Sequence, residues 1–170
     1  MFEVLVFVYE NYWRGDACPE PAHLERKLSA VGFEADEIQD ALTWLTELNL
    51  AARGLQQPGP QGEGDCAVAL LDTHETIRQS SDSMRIYSVA EQDHLGASGL
   101  GFVSFLEGAG VLPAHMREIV LDRAMAAPGD PVPLDDLKVI ILMVYWSLGQ
   151  EPDALVLDEL CDHSAARVAH

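Results

Sequence analysis

Positive charge is what this 170-residue chain lacks most: 10 Lys and Arg stand against 28 Asp and Glu, a formal net charge of −18. Affinity for nucleic acid is carried largely by Lys and Arg that neutralise phosphates, so broad contact with a duplex is disfavoured. The expected partners are proteins, and basic ones in particular. Cysteine is scarce as well. Cys18, Cys66 and Cys161 are odd in number and far apart, which argues against a disulfide framework or a zinc cluster and fits a reducing cytoplasm. Long apolar runs are missing too. The longest, Val139 to Trp146, falls far short of the roughly 18 residues that cross a bilayer, so a core helix is expected and no membrane anchor. The opening stretch, Met1 to Trp13, lacks the basic flank and small-residue cleavage site of a signal peptide and reads as a first helix.

What the chain does have is apolar residues, 48% of the total with three tryptophans, enough for a folded globular protein. Phe2 to Trp13 is apolar on nearly all sides, as in a helix buried between others. A second helix is predicted from Pro21, where a proline in the first turn loses no hydrogen bond, to Gly32. In a third, Ile38, Ala41, Leu42, Leu45 and Leu48 recur at helical spacing, which with the second gives a helix-turn-helix outline. The stretch from Leu50 is rich in Gly, Pro and Gln. Arg53 to Asp82 therefore reads as a long hairpin connection with a candidate strand at Cys66 to Leu71 and a disordered tip. Ser83 to Tyr87 alternates as a returning strand would, with Met84 and Ile86 on one side and Arg85 and Tyr87 on the other. Met84 and Ile86 are expected to bury against the N-terminal helices, so that Ile86→Asp should cost several kcal/mol.

After the strand, Ser88 with Glu91 forms a capping box that opens a helical half. Phe102, Phe105 and Leu106 mark one helix there, and Gly96 to Gly101 reads as a turn between helices. Pro113 opens a helix through Met116, Ile119, Val120 and Ala124; Pro133 to Leu148 is the core helix; Asp153 to Cys161 adds a last amphipathic turn or two. The predicted fold is thus mainly α. Residues 1–87 form a winged-helix-like unit of three helices plus a short β-hairpin wing, Leu50 to Arg53 against Ser83 to Tyr87, which carries the long loop 54–82. Residues 88–162 form a helical bundle packed on that unit, and residues 163–170 a flexible tail.

Residues suited to catalysis are sparse. None of His23, His74, His94, His115, His163 and His170 falls in a His-Glu-x-x-His spacing, and Cys161-Asp162-His163 with His170 reads as tail rather than as a metal site. Asp135 and Asp136 diverge by about 100° on a helix and suit the positive end of its dipole better than acid–base work. Gly96 to Gly101 lacks the preceding strand and following Lys of a phosphate loop, and Ser98 and Ser104 lack a nucleophile-elbow context. No catalytic residue, cofactor or metal is expected.

The third helix has Glu34, Asp36, Glu37, Asp40 and Glu47 and no Lys or Arg between Phe33 and Ala52. The leading expectation is a non-catalytic adaptor or regulatory module that receives a basic protein partner on Glu34, Glu37, Asp40, Trp44 and Glu47. Trp44 lies beside the Ile38 to Leu45 stripe and reads either as core or as an interface anchor. The alternative is a winged helix that binds nucleic acid along the wing edge with Arg53, Arg85 and Tyr87; against it, Arg85 has many nearby acids with which to pair.

Several short patterns recur in a familiar order: Met1-Phe2-x-Val4-Leu5, Gly32-Phe33, Ala41-Leu42-x-Trp44-Leu45 and Ser83-Met84-Arg85-Ile86-Tyr87. Phe105-Leu106-Glu107, Arg117-Glu118 with Val120 and Arg123, and Asp135-Asp136-Leu137-Lys138 before Ile141-Leu142-Met143-Val144 follow them. On these residues, which run from Met1 to about Gly149, the chain resembles the Smg family. The resemblance implies a bacterial, mainly proteobacterial, cytosolic protein with a housekeeping or information-processing role. Genes of that family often sit beside those for a protein of DNA uptake and for translation proteins such as peptide deformylase. The resemblance implies no reaction. The Gly/Pro-rich loop is longer than the family pattern and the tail departs from it, so neither is assigned a role.

Overall fold

An apolar run with no polar face has nothing to present to solvent, and the structure encloses Val139 to Trp146 accordingly. The computed structural model describes residues 1–12, 21–56 and 85–150 and, singly, residues 152, 156 and 160. These form the helices α1 (Phe2–Tyr12), α2 (Pro21–Val31), α3 (Ala35–Gln56), α4 (Val89–Gly108), α5 (Ala114–Met125) and α6 (Leu134–Ser147). Every residue of α6 from Leu137 to Tyr145 is buried, because α1, α3, α4 and α5 all pack on it. α3 in turn packs on α1, α2, α5 and α6. One continuous apolar core therefore runs from Val4, Leu5 and Val8 of α1 through Leu45 and Leu48 of α3 to Ile140 and Ile141 of α6.

Local chemistry sets most helix ends. Among its described side chains, α2 buries Leu24 and Leu28, a one-turn seam against α3. It closes at Gly32, whose φ of 107° few other residues tolerate; the Gly32 amide donates to Ser29 O and that of Phe33 to Leu28 O, a complete Schellman motif. α6 ends in the same way at Gly149, with Gly149 donating to Trp146 O and Gln150 to Tyr145 O. At the start of α4, Ser88 Oγ accepts from the Glu91 amide at 3.2 Å while the Glu91 carboxylate accepts from the Ser88 amide at 2.7 Å, the expected capping box. Asp135 and Asp136 occupy the first turn of α6, where the helix dipole favours acids.

The winged-helix reading is overturned. Among the described residues there is no strand. Leu50 to Arg53, expected as the outgoing wing strand, are the continuation of α3, which also takes in Gly54 to Gln56. The reason is local: Ala52 lies four residues beyond Leu48 on the same buried stripe, and Ala51 with Ala52 favours helix strongly enough to carry it past the position where Gly54 suggests an end. Arg85 to Tyr87 are non-helical but pair with no other strand among the described residues. Their faces are also the reverse of the expectation, since Ile86 is 89% exposed while Arg85 and Tyr87 are half-buried. Gly96 to Gly101, expected as a turn, lie within α4, where only Gly96 leaves helical geometry. The expected strand at Cys66 to Leu71, loop residues 57–82, Ser83, Met84, Trp13 and the tail 163–170 lie outside the described residues. Of Asp153 to Cys161, Val156 and Leu160 are described, both helical.

Candidate functional site

α3 starts just past a tight glycine turn, so the acids of that turn and of the first helical turn are brought against the start of α1. Glu34 and Glu37 join Glu3 around an open depression of about 470 Å³ whose remaining walls are Val31, Gly32 and Phe33. Val31 is well exposed and Phe33 is half-buried, its ring set edge-on to that of Phe7 at 5.7 Å, so the depression combines apolar and acidic lining. Glu37 Oε1 lies 3.4 Å from the Met1 amino group.

The other residues expected at this face do not join the depression. Asp40 is exposed farther along α3. Trp44 is core: it is 3% exposed, and its indole Nε1 donates to the Arg123 carbonyl at 3.1 Å. Glu47 is turned towards α5, where its Oε2 accepts from Arg123 Nη1 at 2.6 Å. Glu3 was missed from the sequence. As an acid set in an otherwise apolar helix, it carried a signal, though none that fixed its neighbours.

The residues of the expected wing edge are separated or already engaged. Arg53 is exposed near the end of α3, on a different element from the other two. Arg85 is clamped: Nε donates to Glu118 Oε1 at 2.9 Å, Nη2 to Glu91 Oε1 at 2.7 Å, and the guanidinium lies 4.8 Å from the centre of the Tyr87 ring. Arg117, 2% exposed, reaches Glu107 through Nη1 and Glu118 Oε1 through Nη2 at 2.7 Å. Arg123 holds Asp122 Oδ2 at 2.8 Å besides Glu47. Lys27 and Lys138 lie over the rings of Tyr12 and Phe102.

The electrostatics follow from these contacts. The bond from Arg85, helped by the Ser88 amide, pulls the Glu91 carboxyl down to about 2. Burial pushes Glu118 upward, but the bonds from Arg85 and Arg117 outweigh it and hold that carboxyl below the usual range. For Arg85 the bonds from Glu91 and Glu118 raise the guanidinium. In Arg123 burial acts to lower it and the bonds from Glu47 and Asp122 prevail, raising it.

His94 Nε2 is 3.0 Å from the Ala124 carbonyl, and His23 and His115 are exposed. Among the described residues no group of three or more His, Cys, Asp or Glu is placed to hold a metal ion, and no helix is long and apolar enough to cross a membrane. Cys18, Cys66, Cys161 and Arg78 lie outside the described residues.

A family model described as "Protein of unknown function (DUF494)" matches residues 1–170. Among curated proteins, the chain is 55% identical over 170 residues to the Protein Smg homolog of Leptothrix cholodnii and 54% identical over 170 residues to that of Methylibium petroleiphilum. It is 46% identical over 173 residues to that of Herminiimonas arsenicoxydans; all three alignments cover 100% of both chains. No solved structure gives a significant match.

Proposed function

The chain belongs to the family described as "Protein of unknown function (DUF494)", and we propose that it is a non-catalytic adaptor that receives a basic segment of a partner protein. The observation that carries this reading is an asymmetry of charge. Arg85, Arg117 and Arg123 are each closed by carboxylates within the fold, whereas Glu3, Glu34 and Glu37, the last 3.4 Å from the Met1 amino group, line an open depression together with Val31 and Phe33. A segment bearing Lys or Arg beside one aliphatic residue fits that arrangement: the cations meet the carboxylates and the aliphatic group covers Val31 and Phe33. The surrounding negative field adds to the encounter rate with any such partner. The same reading takes the cytoplasm as the site of action and a factor of DNA processing or translation as the partner, as the family resemblance implies.

Duplex binding gains little support. Arg85 would first have to give up two carboxylates, and Arg53, though exposed, stands on a different element, so the two do not form one edge.

The test is a titration of the isotopically labelled full chain with a synthetic Lys/Arg peptide containing one leucine, followed by amide shifts at roughly 50 and 300 mM salt. Shifts confined to the surroundings of Glu3 and Val31 to Glu37, weaker at the higher salt and lost in a Glu34→Lys/Glu37→Lys variant of unchanged melting temperature, support the proposal. Shifts spread over the whole acidic surface, or unchanged in the variant, refute it. Asp40→Lys, off the depression, should leave binding near that of the unmodified protein.

A further inference from the structure

Residues 85–93 bury no side chain: Ile86 is 89% and Val89 73% exposed, Ser88, Ala90, Gln92 and Asp93 face solvent, and Arg85, Tyr87 and Glu91 are half-buried. Tyr87 supplies the segment's contact with the core. What holds it down is polar. Arg85 donates to both oxygens of Glu118 on α5, at 2.9 and 3.2 Å, and to both oxygens of Glu91 within the segment, at 2.7 and 3.2 Å.

Immediately after the segment the chain is fixed again. His94 Nε2 meets Ala124 O at 3.0 Å, the Val132 amide donates to His94 O at 2.7 Å, and Leu95 is buried. Between this anchor and the rest of α4 stands Gly96, at φ 64° and ψ 173°, a backbone state that interrupts the helix and that residues with a Cβ adopt rarely. Beyond it, Gly99, Val103 and Leu106 are buried, Gly99 so close to α6 that a Cβ there would lie 3.3 Å from Leu137 Cδ2.

We infer that residues 85–93 are a latched arm: the ion pair from Arg85 to Glu118 holds it against α5, and on release it unwinds as far as the His94–Leu95 anchor while the bundle remains folded. α4 is then two bodies with different tasks. Its second part belongs to the core, and its first part is a separable turn set off from it at Gly96. The latch is electrostatic and partly open to solvent, with side-chain exposures of 18% for Arg85 and 49% for Glu118, so ionic strength sets how long it stays closed. An open arm carries a guanidinium freed from Glu118 and two exposed aliphatic side chains, Ile86 and Val89, and it leaves Glu118 to Arg117 alone.

Amide hydrogen exchange on the full chain tests this. Amides of residues 92–95 should exchange faster than those of 99–106, and the ratio should widen by several-fold between roughly 0.05 and 0.5 M salt. Arg85→Gln should accelerate residues 92–95 by roughly tenfold and leave α6 unchanged, with Arg85→Lys between the two because it keeps the charge and loses the paired geometry. Uniform exchange along α4, or no response to salt, overturns the inference. So does an Arg85→Gln variant in which α6 loses protection as much as the arm does, since the arm would then be an integral part of the bundle.

Discussion

Replacing Arg117 separates what its buried stem contributes from what its charge contributes. The side chain is 2% exposed, and its guanidinium meets Glu107 and Glu118, which keep 35% and 49% of their side-chain surface in water. In Arg117→Ala, two methylenes, Cγ and Cδ, leave a packed site, which at about 0.8 kcal/mol each removes about 1.6 kcal/mol. The lost charge-assisted hydrogen bonds add only about 1–2 kcal/mol, because both carboxylates are accessible enough for water to replace the guanidinium. The expected loss is therefore about 3 kcal/mol. Arg117→Met keeps most of the stem and should lose about 1–2 kcal/mol; Glu107→Gln, which keeps an acceptor facing Nη1, should lose less than about 1 kcal/mol. Urea unfolding followed by circular dichroism, with a common slope across the variants, measures all three. An Arg117→Met protein as unstable as Arg117→Ala would refute the reasoning, since the charge would then dominate. A loss below about 1 kcal/mol for Arg117→Ala would refute it from the other side.

Ile86→Asp, expected from sequence to break a buried junction, should instead shift stability by less than about 0.5 kcal/mol in the same assay, because the side chain is 89% exposed; a loss above about 2 kcal/mol would show that Ile86 is covered in solution. The pH dependence has a definite sign. Glu91 titrates at about 2 in the folded protein against an ordinary 4.5, so its contribution is complete above pH 4.5 and is lost as pH falls from there towards 2. Glu118, held below the usual range, acts in the same direction. Melting temperatures between pH 5 and 2 should therefore fall less steeply in Arg85→Gln than in the unmodified protein, and parallel slopes would show that the clamp does not couple to folding.

Three helix ends were legible because their causes are local, Gly32 and Gly149 closing α2 and α6 and Ser88 with Glu91 opening α4, whereas the end of α3 was not. The wing was misread because a two-residue alternation in Arg85 to Tyr87 resembles a strand, although its inward residues are held by charge and a ring rather than by a ladder. Gly99 shows why glycines are ambiguous in a linear reading: what looks like turn composition is clearance for α6, visible only once Leu137 lies opposite. At the candidate site, Glu34 and Glu37 could be singled out from charge alone. Their gathering with Glu3 could not, nor could the partnership of Glu47 with Arg123, because both depend on how distant helices meet.

The enclosure of α6 also bears on the order in which a ribosome delivers the chain. Synthesis runs from α1 to α6, so the helix on which four others pack is the last of them to emerge. Until it does, Val4, Leu5 and Val8 of α1 and the inner face of α3 have no central post to cover, and the nascent chain displays them to whatever is nearby. The pairing of α1 with α6 joins the two extremes of the described helices, a contact of high sequence separation that closes late and slowly. A nascent chain halted in the turn before α6 should therefore expose apolar surface of α1 and α3 that the finished fold covers, and it should bind chaperones more readily than the full set of helices does.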